Sequence, residues 1–67
     1  MSPKRLTERP RDVIRRLAAE GWVERPGKGD HRNFTKAGRG LVTIDMGVRE
    51  IPIGTLRNIY RMAGWTW

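Results

Sequence analysis

The chain is 67 residues long, with no cysteine, one histidine and a formal net charge of +7 from 14 Lys and Arg against 7 Asp and Glu. A chain this short is one domain, residues 1–67, with a thin core, because it buries only about 60% of its unfolded surface, and the missing cysteines exclude disulfides and a Cys/His zinc site as staples. The charge favours a polyanionic partner, nucleic acid or an acidic protein, and no apolar run approaches the roughly 18 residues that span a bilayer.

Residues 1–6 are polar and basic and are expected to form a flexible arm. No apolar stretch follows Met1-Ser2-Pro3-Lys4-Arg5, so it does not read as a signal peptide, and the cytoplasm is the expected compartment. The first helix is expected from about Thr7 or Pro10 to Glu20. Val13, Ile14 and Leu17, with Ala18 beside them, form one helical stripe. Thr7 is the expected N-cap, Pro10 suits the first turn, and Gly21 supplies the left-handed residue that ends the helix. Arg11, Arg15 and Arg16 lie off the apolar stripe.

Three strands follow. Trp22-Val23-Glu24-Arg25 is stopped by Pro26-Gly27, His31-Arg32-Asn33-Phe34-Thr35 is the second strand, and Leu41-Val42-Thr43-Ile44-Asp45 is the clearest. Between the last two, Lys36-Ala37-Gly38-Arg39-Gly40 has hairpin length. Met46–Glu50 is a loop, and a second helix runs from about Pro52 to Ala63, with Leu56, Ile59, Tyr60 and Ala63 on one stripe and Gly64 as its stop. Trp22 and Tyr60 are expected in the core, and Trp65 and Trp67 are expected to fold back onto it. Short connections make the sheet antiparallel. The fold class is therefore α+β in the order α-β-β-β-α, a three-stranded antiparallel sheet with both helices on one face, which is the shape of a double-stranded-RNA-binding domain. Alternation puts Phe34, Val42 and Ile44 on the covered face and His31, Asn33 and Thr43 on the open one.

The chemistry concentrates in Gly27-Lys28-Gly29-Asp30-His31-Arg32-Asn33. Gly27 and Gly29 let backbone approach a phosphate, and Lys28 and Arg32 supply positive charge beside it. Histidine is the side chain that titrates near neutrality, so His31 is the candidate general base or acid. Asp30 is a candidate to orient the imidazole. Asp30, Asp45 and Glu50 could in principle meet near His31 as the carboxylate cluster of a magnesium-dependent nuclease, but nothing in their spacing says that they do, and no cofactor is expected. The single serine, Ser2, lies in the N-terminal arm, which argues against a serine nucleophile.

Two separated signatures carry a family resemblance. Gly21-Trp22-Val23-Glu24-Arg25 with Gly27-Lys28-Gly29-Asp30-His31-Arg32-Asn33-Phe34, and later Arg49-Glu50-Ile51-Pro52 with Gly54–Arg61 and Ala63-Gly64, resemble the HicA toxins of bacterial toxin–antitoxin pairs from about Pro10 to Gly64. The resemblance implies a double-stranded-RNA-binding-like fold, mRNA cleavage, and silencing by a co-encoded HicB-like antitoxin. It also implies a catalytic histidine in a Gly-Ser-His motif, which maps onto Gly29-Asp30-His31. Asp30 stands where relatives carry serine. The third strand ends Ile44-Asp45-Met46, where relatives often have proline and a second histidine, so a two-histidine mechanism is excluded.

The expected function is thus a metal-independent endoribonuclease with His31 as its single catalytic histidine, acting on mRNA as a monomer or weak homodimer when free of antitoxin. The alternative is a non-catalytic RNA-binding module of the same fold, which would need cations at this loop but not His31.

Overall fold

The computed structural model describes residues 7–67, so the arm expected over residues 1–6 lies outside the described residues. The elements are α1 (Pro10–Ala19), β1 (Val23–Arg25), β2 (His31–Lys36), β3 (Gly40–Asp45) and α2 (Ile53–Ala63). The three strands form one antiparallel sheet in the order β1-β2-β3, with β2 in the centre. This is the α+β, double-stranded-RNA-binding-like architecture that the sequence implies.

Pro10 opens α1, where its fixed φ is helical and its missing N–H breaks no bond. The expected cap at Thr7 is not made. Arg9 holds the N-cap position without a side-chain bond, and the Thr7 hydroxyl donates to the Glu50 carboxylate instead. The cause is an interaction between the two helix starts: Glu8 pairs with Ile51, whose N–H donates to the Glu8 carbonyl at 2.8 Å. That bridge holds Thr7 away from the helix end. Pro10, Val13 and Leu17 form the buried stripe of α1 and Ile14 packs at its edge. Ala18, expected on the stripe, is exposed, because one residue past Leu17 turns about 100° away from a narrow buried face.

Phe34, Val42 and Ile44 point under the two helices, both of which pack against β3. With them Val13, Leu17, Trp22, Ile51, Leu56, Ile59, Ala63 and Trp65 complete one core. Trp22 is buried, but its indole N–H has no hydrogen-bond partner among the described residues, which costs about 1–3 kcal/mol. Gly64 ends α2 in the left-handed region at φ 79°. The chain then turns back and the Trp65 N–H donates to the Tyr60 carbonyl at 2.8 Å. Trp65 enters the core and donates its indole N–H to Glu20 at 2.7 Å, while Trp67 meets Tyr60 edge to face at 5.0 Å. The last tryptophans thus fold back as expected, and the Trp65 indole ties the end of α1 to the end of α2.

The core is small enough for single residues to decide stability. Phe34→Ala empties the centre of the middle strand and should cost about 3–5 kcal/mol, comparable with the whole stability of about 3–10 kcal/mol for a chain of this length. Urea unfolding followed by circular dichroism should find it largely unfolded without denaturant; a midpoint near wild type would refute the assignment. A second expectation concerns acid. The Trp65 indole donor holds the Glu20 carboxyl below its ordinary range, partly opposed by desolvation and helped by the Arg16 hydrogen bond and then by the Arg16 and Lys36 charges. A depressed folded-state value stabilises above the unfolded value of about 4.3 and ceases to do so as pH falls through the folded one. Glu20→Gln should therefore melt below wild type near neutral pH, with the gap closing in acid below the unfolded value. A gap of equal size at both pH values would show that the carboxylate charge is not what matters.

Candidate active site

The open face of the sheet is built by the same alternation that builds the core. On it Arg25 stands beside Asn33 and Thr43, and the next row along pairs His31 with Asp45 directly across β2 and β3. Directly opposed residues on one face have Cβ atoms about 4.5–5.5 Å apart, so the His31 and Asp45 side chains rise from adjacent points of that face. The β2–β3 hairpin is centred on Gly38, which places residues at equal distances on either side of it face to face. That centre is readable from the glycine-containing turn. It was the one signal in the sequence that pointed to Asp45 rather than Asp30.

The loop before β2 is held in place by main-chain and side-chain bonds. The His31 N–H closes a turn onto the Lys28 carbonyl at 2.9 Å. The Thr43 hydroxyl donates to Asn33 Oδ1 at 2.7 Å, and Asn33 Nδ2 donates to the Pro26 carbonyl at 3.0 Å. This chain of bonds presses the loop onto the open face and sets where His31 begins the strand. Gly27 is required there: a Cβ would lie 2.2 Å from the His31 carbonyl oxygen, a contact with main chain that cannot move aside. Gly29, at φ 55°, makes the turn itself. The two glycines thus sit where the sequence places them, but Gly27 serves the loop's fit against His31.

The other candidates divide. Lys28 is exposed in the turn next to His31. Asp30 lies in that turn, not on the strand; its carbonyl accepts the Met46 N–H at 2.7 Å, and its carboxylate reaches toward Gly47. Asp45 Oδ1 accepts the Gly47 N–H at 2.8 Å, so the two carboxylates flank the same residue. Arg32 is not brought to His31. Alternation sends it to the side of Phe34, and its Nε donates to Glu24 at 2.9 Å. The cation on the His31 face of the sheet is Arg25, which also donates to Thr35 Oγ1 at 3.3 Å. The sequence alone does not single out Arg25, because the face it occupies depends on strand register.

His31 is exposed, so a long substrate can reach it. Among the described residues no three His, Asp or Glu side chains gather to hold a metal ion; Glu50, the third carboxylate considered from sequence, is engaged by Thr7. Nor is any helix among them long and apolar enough to cross a membrane.

No curated protein matches the chain. The profile of the HicA toxin of bacterial toxin–antitoxin systems, however, matches residues 10–65, from the start of α1 to the tryptophan that closes the core. That span contains every element of the fold and the whole His31 face. The chain therefore belongs to the HicA family of bacterial toxins, the toxin half of a toxin–antitoxin pair.

Proposed function

We propose that the protein is a metal-independent endoribonuclease that cleaves mRNA in the cytoplasm with His31 as its catalytic histidine. The observation that carries this reading is the placement of an exposed histidine on the bare sheet face, opposite Asp45 and beside a glycine turn bearing Lys28. In the proposed reaction His31 takes the proton of a ribose 2′-hydroxyl. The 2′-oxygen bonds to the adjacent phosphorus, the bond from phosphorus to the 5′-oxygen breaks, and that oxygen takes a proton from solvent while His31 gives up the one it accepted to solvent. The products are a 2′,3′-cyclic phosphate and a 5′-hydroxyl, with water consumed in neither step. Lys28 and Arg25 face the side on which negative charge grows on the phosphoryl oxygens and stabilise it there. Asp45, across from His31, is the residue placed to orient the imidazole.

The partner that silences it is the cognate antitoxin, a HicB-like protein. An acidic protein laid over the open face covers His31 and meets Arg25 and Lys28, blocking RNA by shape and by charge. Free of antitoxin, the toxin is a monomer or weak homodimer.

Cleavage of a long single-stranded RNA by purified protein in excess EDTA tests the reading. His31→Ala should lose about 10²–10⁴-fold in rate, the usual worth of a positioned acid–base group. RNA that is bound but cut by neither protein would leave the non-catalytic binding module; cutting only after magnesium is added would reinstate a carboxylate mechanism. Asp45→Asn separates orientation from charge. Removing a negative charge from an RNA site should by itself raise activity, so a kcat reduced about 10–100-fold with KM unchanged or lower identifies Asp45 as a positioning residue. Faster cleavage by that variant would exclude the role.

A further inference from the structure

Away from His31, the outer face of α2 and the returning C-terminal residues enclose an open cleft of about 740 Å³. Arg57, Asn58, Tyr60 and Arg61 of α2 line it together with Trp65 and Trp67. The Arg57 guanidinium lies over the Trp67 ring at 5.5 Å. Arg61 donates to Asn58 Oδ1, which turns its guanidinium along the helix. No Asp or Glu side chain lines the cleft. The nearest acids belong to other elements and are engaged: Glu8 accepts the Tyr60 hydroxyl, and Glu20 accepts the Trp65 indole N–H and pairs with Arg16. Among the described residues neither Arg57 nor Arg61 pairs with an Asp or Glu side chain.

Two guanidiniums without acids, set against indole rings in a protein of charge +7, form a surface complementary to a strand of nucleotides. Phosphates take the planar forks of arginine, and bases stack on aromatic and guanidinium planes whatever their identity. The cleft also leads somewhere. Thr55, at its end, lines a neighbouring depression that contains Asp45, the residue facing His31.

We propose that this cleft docks a single-stranded segment of the substrate RNA outside the scissile bond, with phosphates on Arg57 and Arg61 and a base stacked at Trp67. The proposal rests on the reading that RNA is the substrate, and it makes α2 the element that holds the strand while the sheet face cuts it. Sequence tolerance follows with both arginines on phosphates and bases held by stacking, which every base can do.

The test uses a fluorescein-labelled RNA of about 12 nucleotides, a length suited to single-strand sites, 2′-O-methylated throughout so that it cannot cyclise. Binding is followed by anisotropy at roughly 50 and 200 mM salt. Arg57→Ala/Arg61→Ala changes two exposed side chains and should leave the melting curve intact. It should weaken binding about tenfold or more and flatten the salt dependence by about 1.4 in log–log slope, two phosphates at roughly 0.7 each. Trp67→Ala should weaken binding about 5- to 150-fold, the range of one stacked base, and should affect the single strand more than a duplex of the same sequence. Wild-type affinity in both variants overturns the cleft while leaving the RNA reading intact, and hands this surface to a protein partner. Failure of the wild-type protein itself to bind the probe at the lower salt overturns both.

Discussion

A sheet of three short strands has two faces, and this chain has apolar side chains enough to bury only one of them. Phe34, Val42 and Ile44 are drawn under the helices, and every other buried residue gathers on that side. Alternation then leaves the opposite face in water, carrying Arg25, Asn33, Thr43, His31 and Asp45. The core and the candidate active site are therefore two consequences of one pattern. A substitution that shifted β2 by one residue would bury His31 and expose Phe34 together.

Register does the finer placing. The turn at Gly38 brings Asp45 opposite His31, and the Thr43–Asn33–Pro26 bonds hold the preceding loop on the face so that His31 opens the strand. Gly27 lets the loop lie against the His31 main chain. The polar residues around the histidine are thus part of its support, in a molecule with no metal cluster or disulfide among its described residues to supply rigidity. Family membership agrees with this division, since the HicA profile spans both helices and the whole sheet.

The C-terminal turn at Gly64 has an effect out of proportion to its size. By sending the chain back along α2 it places Trp65 in the core, anchors it to Glu20, and stands Trp67 beside Tyr60. One side of α2 then packs and the other becomes a wall of a cationic, aromatic cleft. Stability and a binding surface depend on the same few rings. The basic charge, which opposes compaction through self-repulsion, is concentrated in part on surfaces that an RNA strand would neutralise.

Periodicity in the sequence determined the five elements, their order, the covered and open faces, and the stops at Gly21 and Gly64, because apolar spacing and glycine placement are local properties that each segment carries with it. The motif around His31 was legible for the same reason. What the tertiary structure alone decided were the partners. Thr7 bonds Glu50 instead of capping α1, since Glu8 pairs with Ile51 across the fold. Arg32 turns to Glu24 while Arg25 takes the His31 face, and Asp45 rather than Asp30 stands opposite the imidazole. These depend on which residues from distant segments arrive side by side, and that is set by strand register and by the packing of both helices on one sheet face.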